Sequence, residues 1–124
     1  MIINKIDNTN FKAGNVYLKR IDSQKSIQCY DAIKKLAEDK SMDIFITKSK
    51  ETKYLPREDM YVVIAKKEIP VVSRMFFSME KISRHGTGCA ILSKKANEKE
   101  LSTKIYNATM NAIDTLEKKL AKET

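Results

Sequence analysis

The only histidine of the chain lies in a short segment that combines basic and glycine residues, Arg84-His85-Gly86-Thr87-Gly88. A guanidinium and an imidazole beside the backbone N–H groups of a glycine-rich turn can receive a phosphate or a carboxylate. We therefore predict that Arg84 and His85 bind an anion. The alternative interpretation is a mobile polar loop that binds nothing.

The charge of the chain supports an anionic partner. There are 24 Lys and Arg residues against 16 Asp and Glu, which gives a net charge of +8 and a long-range attraction for polyanions. Between residues 66 and 95 the only acidic side chains are Glu68 and Glu80. The predicted anion-binding residues are Lys66, Lys67, Arg74, Arg84, His85, Lys94 and Lys95. Nucleic acid or another polyanion is the predicted partner.

Catalytic, metal and cofactor chemistry have no readable motif in the sequence. One histidine and two distant cysteines, Cys29 and Cys89, do not provide the ligand spacing that zinc needs. The nucleotide-binding glycine motifs do not occur. We predict a non-enzymatic binding module with no metal and no cofactor, and with both cysteines reduced and packed in the core.

Hydrophobic periodicity predicts the elements that would carry these residues. The pattern changes at Gly14, and a strand is expected over Val16–Ile21. A helix is expected over about 24–39, which Asp22 or Ser23 would cap. A second strand follows over 42–48 and a loop over 49–59. The β-branched run Met60–Ala65 suits a central strand buried on both faces.

The next segment, residues 69–84, has two interpretations. Its composition favours a strand that returns as a hairpin through Lys66–Glu68, but a helical apolar stripe is also present. Gly86 and Gly88 then predict a turn before a last strand over 89–93. The final helix, over about 97–120, has Asn97 and Glu100 in a capping arrangement.

These elements predict an α+β fold of order β-α-β-β-(β or α)-β-α. We expect one twisted, mainly antiparallel sheet of four to five strands, with two amphipathic helices on one face. Residues 1–13 are predicted to be a flexible arm and residues 14–124 a single domain. No apolar stretch is long enough to cross a bilayer, which predicts a soluble cytoplasmic protein without membrane association.

The second helix suggests an alternative function. Its apolar stripe spans about six turns, longer than the width of a small sheet. We expect its end, at Ile113, Leu116 and Leu120, to need a partner or to stay exposed. A protein-interaction or self-association module, such as a homodimer, is therefore the alternative to polyanion binding.

Overall fold

The computed structural model of the chain describes residues 14–21, 28–50, 57–73 and 78–122. The predicted flexible arm, residues 1–13, lies outside the described residues. In chain order the elements are β1 (Val16–Lys19), α1 (Tyr30–Lys40), β2 (Asp43–Lys48), β3 (Glu58–Ser73), β4 (Ser78–Ser93) and α2 (Glu98–Lys122).

The four strands form one mixed sheet in the order β1-β2-β3-β4. Strand β1 pairs in parallel with β2, and the chain crosses between them through α1. The other two pairings are antiparallel. The prediction of an α+β fold is therefore confirmed. The sheet is mixed and has four strands, and the predicted order of elements is matched only in part, because residues 89–93 belong to β4 rather than to a separate last strand.

Strands β3 and β4 are longer than predicted. Their register runs without interruption from Glu58 opposite Ser93 to Ser73 opposite Ser78. Residues 69–73 and 78–84 are strand, so the strand interpretation of this segment is confirmed for the described residues. The hairpin turn predicted at Lys66–Glu68 is wrong, because these residues continue β3. The chain there offers no glycine or asparagine to turn on, and β-prone residues follow.

The ladder between β2 and β3 ends where Asp43 pairs with Lys66. From Lys67 opposite Arg84 onward, β3 and β4 pair only with each other among the described residues. The hairpin therefore continues beyond the four-stranded sheet as a two-stranded ribbon of seven residue pairs.

Both helices pack on one face of the sheet, as predicted. On this face Ile44 and Ile46 pair with Ala65 and Val63, and all four side chains are fully buried. The helices contribute seven further residues to one shared core, which are Ile33, Ala37, Ile105, Ala108, Ala112, Ile113 and Leu116.

Helix α2 approaches β4 at two glycines. A Cβ atom on Gly88 would overlap the carbonyl oxygen of Ala108 and lie 3.1 Å from its Cα. A Cβ atom on Gly86 would overlap the carbonyl oxygen of Ala112 and lie 2.6 Å from the amide nitrogen of Leu116. The predicted glycine-rich turn is therefore wrong: these glycines lie inside a strand because only they let the helix backbone come so close.

The apolar stripe of α2 is covered by the chain itself. Ile113 and Leu116 are 1% and 0% exposed, and Leu120 is partly buried against the core. The expectation of an uncovered stripe is wrong because α2 lies along the long strands rather than across them. Its 25 residues span about 38 Å, whereas a strand of 16 residues spans about 53 Å.

The helix starts were predicted with unequal success. The backbone N–H of Glu100 donates to Oδ1 of Asn97 at 2.8 Å, which confirms the predicted cap of α2. Helix α1 begins at Tyr30 with no side-chain cap from Cys29. The predicted caps of α1, Asp22 and Ser23, lie outside the described residues. Neither of the two described helices has the length and apolar composition to cross a membrane.

The glycine contact predicts a large effect of one methyl group. We expect Gly88→Ala to lower the free energy of unfolding by about 3 kcal/mol or more, because α2 must move away from β4. Thr87→Ala, on the neighbouring residue and the opposite face, is the control and should cost less than about 1 kcal/mol. Urea unfolding measures both. Equal losses would mean that α2 does not lie on Gly88.

Candidate nucleic-acid interface

Five side chains that could contact an anion lie close together where the four-stranded sheet ends and the two-stranded ribbon begins. Lys66 pairs with His85 and the adjacent Lys67 pairs with Arg84. Nζ of Lys119, near the end of α2, donates to the carbonyl oxygen of His85 at 2.7 Å. We call the group formed by Lys66, Lys67, Arg84, His85 and Lys119 the basic neck.

The basic neck extends around both faces of the ribbon. Successive side chains of a strand point to opposite faces. Lys67 is two residues after the buried Ala65, and Arg84 is two residues before the buried Gly86, so both lie on the face that carries the helices. Lys66 and His85 lie on the opposite face. A polyanion can therefore meet basic side chains from either side.

Lys67 and Arg84 stand directly opposite each other on adjacent strands. Nζ of Lys67 donates to the carbonyl oxygen of Lys40 at 3.3 Å, and Nη1 of Arg84 donates to the carbonyl oxygen of Ser83 at 3.3 Å. Two cations at opposed positions give this part of the ribbon a locally positive character.

The structure separates two of the other predicted anion-binding residues, Lys94 and Lys95, from the basic neck. Lys94 and Lys95 follow β4 at the opposite end of the sheet. Lys94 is nine positions after His85 along nearly extended chain, a distance of about 30 Å. Arg74 lies outside the described residues. Four of the seven predicted residues are thus together, and Lys119 is an additional cation that the sequence analysis did not identify.

The residues between His85 and Cys89 do not form the predicted glycine-rich turn, whose backbone N–H groups would have pointed at an anion. Gly86 and Gly88 pair with Ala65 and Val63 in the antiparallel ladder. Their backbones lie in a strand rather than in a concave turn. Anion contact at this site therefore depends on side chains, not on converging amides.

An open groove of about 510 Å³ adjoins the basic neck on the helix face. It lies at the C-terminal ends of α1 and α2, and sequence reasoning could not find it because its residues are distant along the chain. Nζ of Lys40 and Oε2 of Glu117 form an ion pair there at 2.9 Å. The complete lining is Asp39, Lys40, Met42, Lys67, Glu117, Leu120 and Ala121. Two acidic and two basic side chains balance, so the groove itself has no preference for an anion.

The sheet face opposite the helices is apolar at its centre, and the register adds the polar residues Lys19, Asp43 and Thr47 on β1 and β2. No described helix or strand covers it. Tyr17 and Phe45 stack on this face with ring centroids 4.8 Å apart. We call it the open sheet face. Its central residues are Tyr17, Phe45, Met60, Val62, Ile64, Thr87, Cys89 and Ile91, all half-buried or exposed.

The prediction that Met60–Ala65 is buried on both faces is confirmed for one face only. Tyr61, Val63 and Ala65 are buried under α2, whereas the alternate residues are only half-buried. The apolar run in the sequence is typical of a strand with a layer on each side. The described part of the chain supplies only one of these layers.

The two cysteines have different surroundings. Both are free thiols, but Cys89 is exposed on the open sheet face, so its predicted place in the core is wrong. Cys29 is half-buried and its Sγ donates to the carbonyl oxygen of Ser102 at 3.2 Å. Burial raises the pKa of the Cys29 thiol. Within the described ranges, His, Cys, Asp and Glu form no group that could hold a metal ion.

The thiols should therefore react at different rates. In dilute protein we expect Cys89 to react with a disulfide reagent roughly tenfold or more faster than Cys29 at neutral pH. The raised pKa keeps Cys29 protonated, so the fraction of reactive thiolate at Cys29 should increase only at more alkaline pH. The single variants Cys29→Ser and Cys89→Ser assign the two rates. A faster Cys29 would contradict the placement of both residues.

Comparison of the chain with protein-family models, with curated proteins and with solved structures finds no significant match, so the assignment of function depends on the site alone.

Proposed function

We propose that the chain is a non-enzymatic module that binds nucleic acid through the basic neck. The observation that carries this proposal is the pairing of Lys66 with His85 and of Lys67 with Arg84 on adjacent positions. Lys119 adds a further cation beside them. Contacts between such side chains and phosphates provide most of the affinity of non-specific nucleic-acid binding.

The ribbon beyond the basic neck favours a double-stranded ligand. A two-stranded β-ribbon fits the major groove of B-DNA, which is about 12 Å wide. The seven pairs of the ribbon extend about 20 Å from the sheet. With the ribbon in the groove, the basic neck would lie near the phosphates at the groove edge.

The electrostatic nature of the site determines the expected binding behaviour. Phosphate contacts position a protein on nucleic acid without reading its sequence. We expect affinity that changes little with base sequence and falls steeply as salt increases. Each lost phosphate contact should reduce the slope of log K against log salt by about 0.9.

Fluorescence anisotropy with labelled duplex DNA at several salt concentrations tests the proposal. We expect Arg84→Ala to weaken binding by about fivefold or more and to reduce the salt slope by about one. Lys95→Ala removes the same charge at the far end of the sheet and is the matched control. We expect it to change the affinity by less than about twofold.

Three results would contradict the proposal. Absence of binding to duplex DNA at low salt would exclude this function. Equal losses in Arg84→Ala and Lys95→Ala would mean that diffuse positive charge, rather than the basic neck, attracts the ligand. Parallel titrations with single-stranded DNA, with RNA and with heparin identify the preferred polyanion, and heparin binding without nucleic-acid binding would also contradict it.

A further inference from the structure

We propose that the open sheet face is the interface of a homodimer, in which two copies of the chain pack these faces against each other. The proposal does not depend on nucleic-acid binding, although Lys66 belongs both to the basic neck and to the edge of this face. It extends the sequence-based expectation of self-association to a surface other than α2.

The first argument is the composition of the face. An antiparallel sheet with one solvated face normally has polar residues at the alternate positions. Here β3 has Met60, Val62 and Ile64 at these positions. At the two sides of the face, Tyr17 is 47% exposed and Ile91 is 44% exposed. Contiguous apolar side chains of this kind mark an interaction surface.

The second argument identifies the occupant as another copy of the chain. Along the open side of β3, Glu58 stands four residues before Val62 and Lys66 stands four residues after it. A twofold axis in the interface plane, perpendicular to β3 and passing through Val62, places Glu58 of each copy over Lys66 of the other. The apolar positions Met60 and Ile64 exchange in the same way. The strand is therefore complementary to itself, as a twofold interface requires.

The same symmetry brings Lys19 of one copy close to Lys19 of the other. Lys19 lies level with the axis, because it pairs with Thr47, which pairs with Val62. It is exposed on β1, the outer strand of the sheet. A long lysine side chain at an interface edge can keep its ammonium group in water. The cost should therefore weaken the dimer without preventing it.

The size of the face predicts a weak dimer. Four strands about 4.8 Å apart, with four residues in β1, six in β2 and about eight in the facing parts of β3 and β4, cover roughly 400 Å² in plan. With its protruding side chains such a face lies near the lower end of specific interfaces. We therefore expect association in the micromolar range, with monomer and dimer both present at accessible protein concentrations.

Charge reversal tests the symmetry directly. Sedimentation equilibrium of the full chain, without nucleic acid, should show a monomer–dimer equilibrium. We expect Glu58→Lys and Lys66→Glu each to weaken the dimer by about tenfold, since each creates two like-charge contacts. The double variant Glu58→Lys/Lys66→Glu should restore it to within about threefold. Failure of the double variant to recover would overturn the proposed symmetry.

Two substitutions that replace exposed apolar residues with polar ones locate the interface. Ile91→Thr keeps a β-branched side chain on the open sheet face, and we expect it to weaken the dimer by about tenfold. Met110→Gln is the matched control, because Met110 is similarly exposed at 40% but lies on α2. It should leave the equilibrium unchanged. A larger effect of Met110→Gln would place the interface on the helix and overturn the proposal.

The reactivity of Cys89 shows whether a second copy of the chain or a segment of the same chain covers the open sheet face. Because Cys89 lies on the open sheet face, its alkylation should slow as protein concentration rises and the dimer forms. Cys89 that reacts slowly at every concentration would mean that the same chain, for example the apolar residues Ile2, Ile3, Ile6 and Phe11, covers the face. That result, or a monomer at all concentrations, would overturn the proposal.

Discussion

The close contact between α2 and β4 is the constraint on which the other features depend. Two alanines of the helix, Ala108 and Ala112, oppose two glycines of the strand, Gly88 and Gly86. Larger residues on either side would keep the two backbones apart. The contact aligns α2 along the hairpin, so Leu116 and the rest of the apolar stripe are buried.

This alignment also explains why both candidate surfaces exist. With both helices on one face, the four-stranded sheet has no described second layer. Since α2 reaches the ribbon only at its end, Lys119 meets the carbonyl oxygen of His85 where the ribbon begins. The basic neck and the open sheet face therefore both result from the way the helices pack on the sheet. The basic neck is charged, whereas the centre of the open sheet face is apolar.

Local signals in the sequence were sufficient for the fold class, for helix α2 and for its Asn97 cap, because capping and helical periodicity depend on neighbouring residues. They failed at Gly86 and Gly88, which resemble a turn unless the opposing helix is known. The sequence analysis named four residues of the basic neck, Lys66, Lys67, Arg84 and His85, from the local excess of positive charge. It could not show that they are neighbours, because only the strand register brings them together. Local composition could not show that Lys94 and Lys95 lie at the other end of β4, nor that Lys119 joins the site.

The most direct test of the account is the nuclear Overhauser effect at Gly88 in the full chain. If α2 lies on β4 as described, the Hα protons of Gly88 should give strong cross peaks to protons of Ala108, because a Cβ at Gly88 would lie only 3.1 Å from Cα of Ala108. Cross peaks from Gly88 to its sequence neighbours alone, with none to α2, would contradict the helix–strand contact and with it the placement of both surfaces.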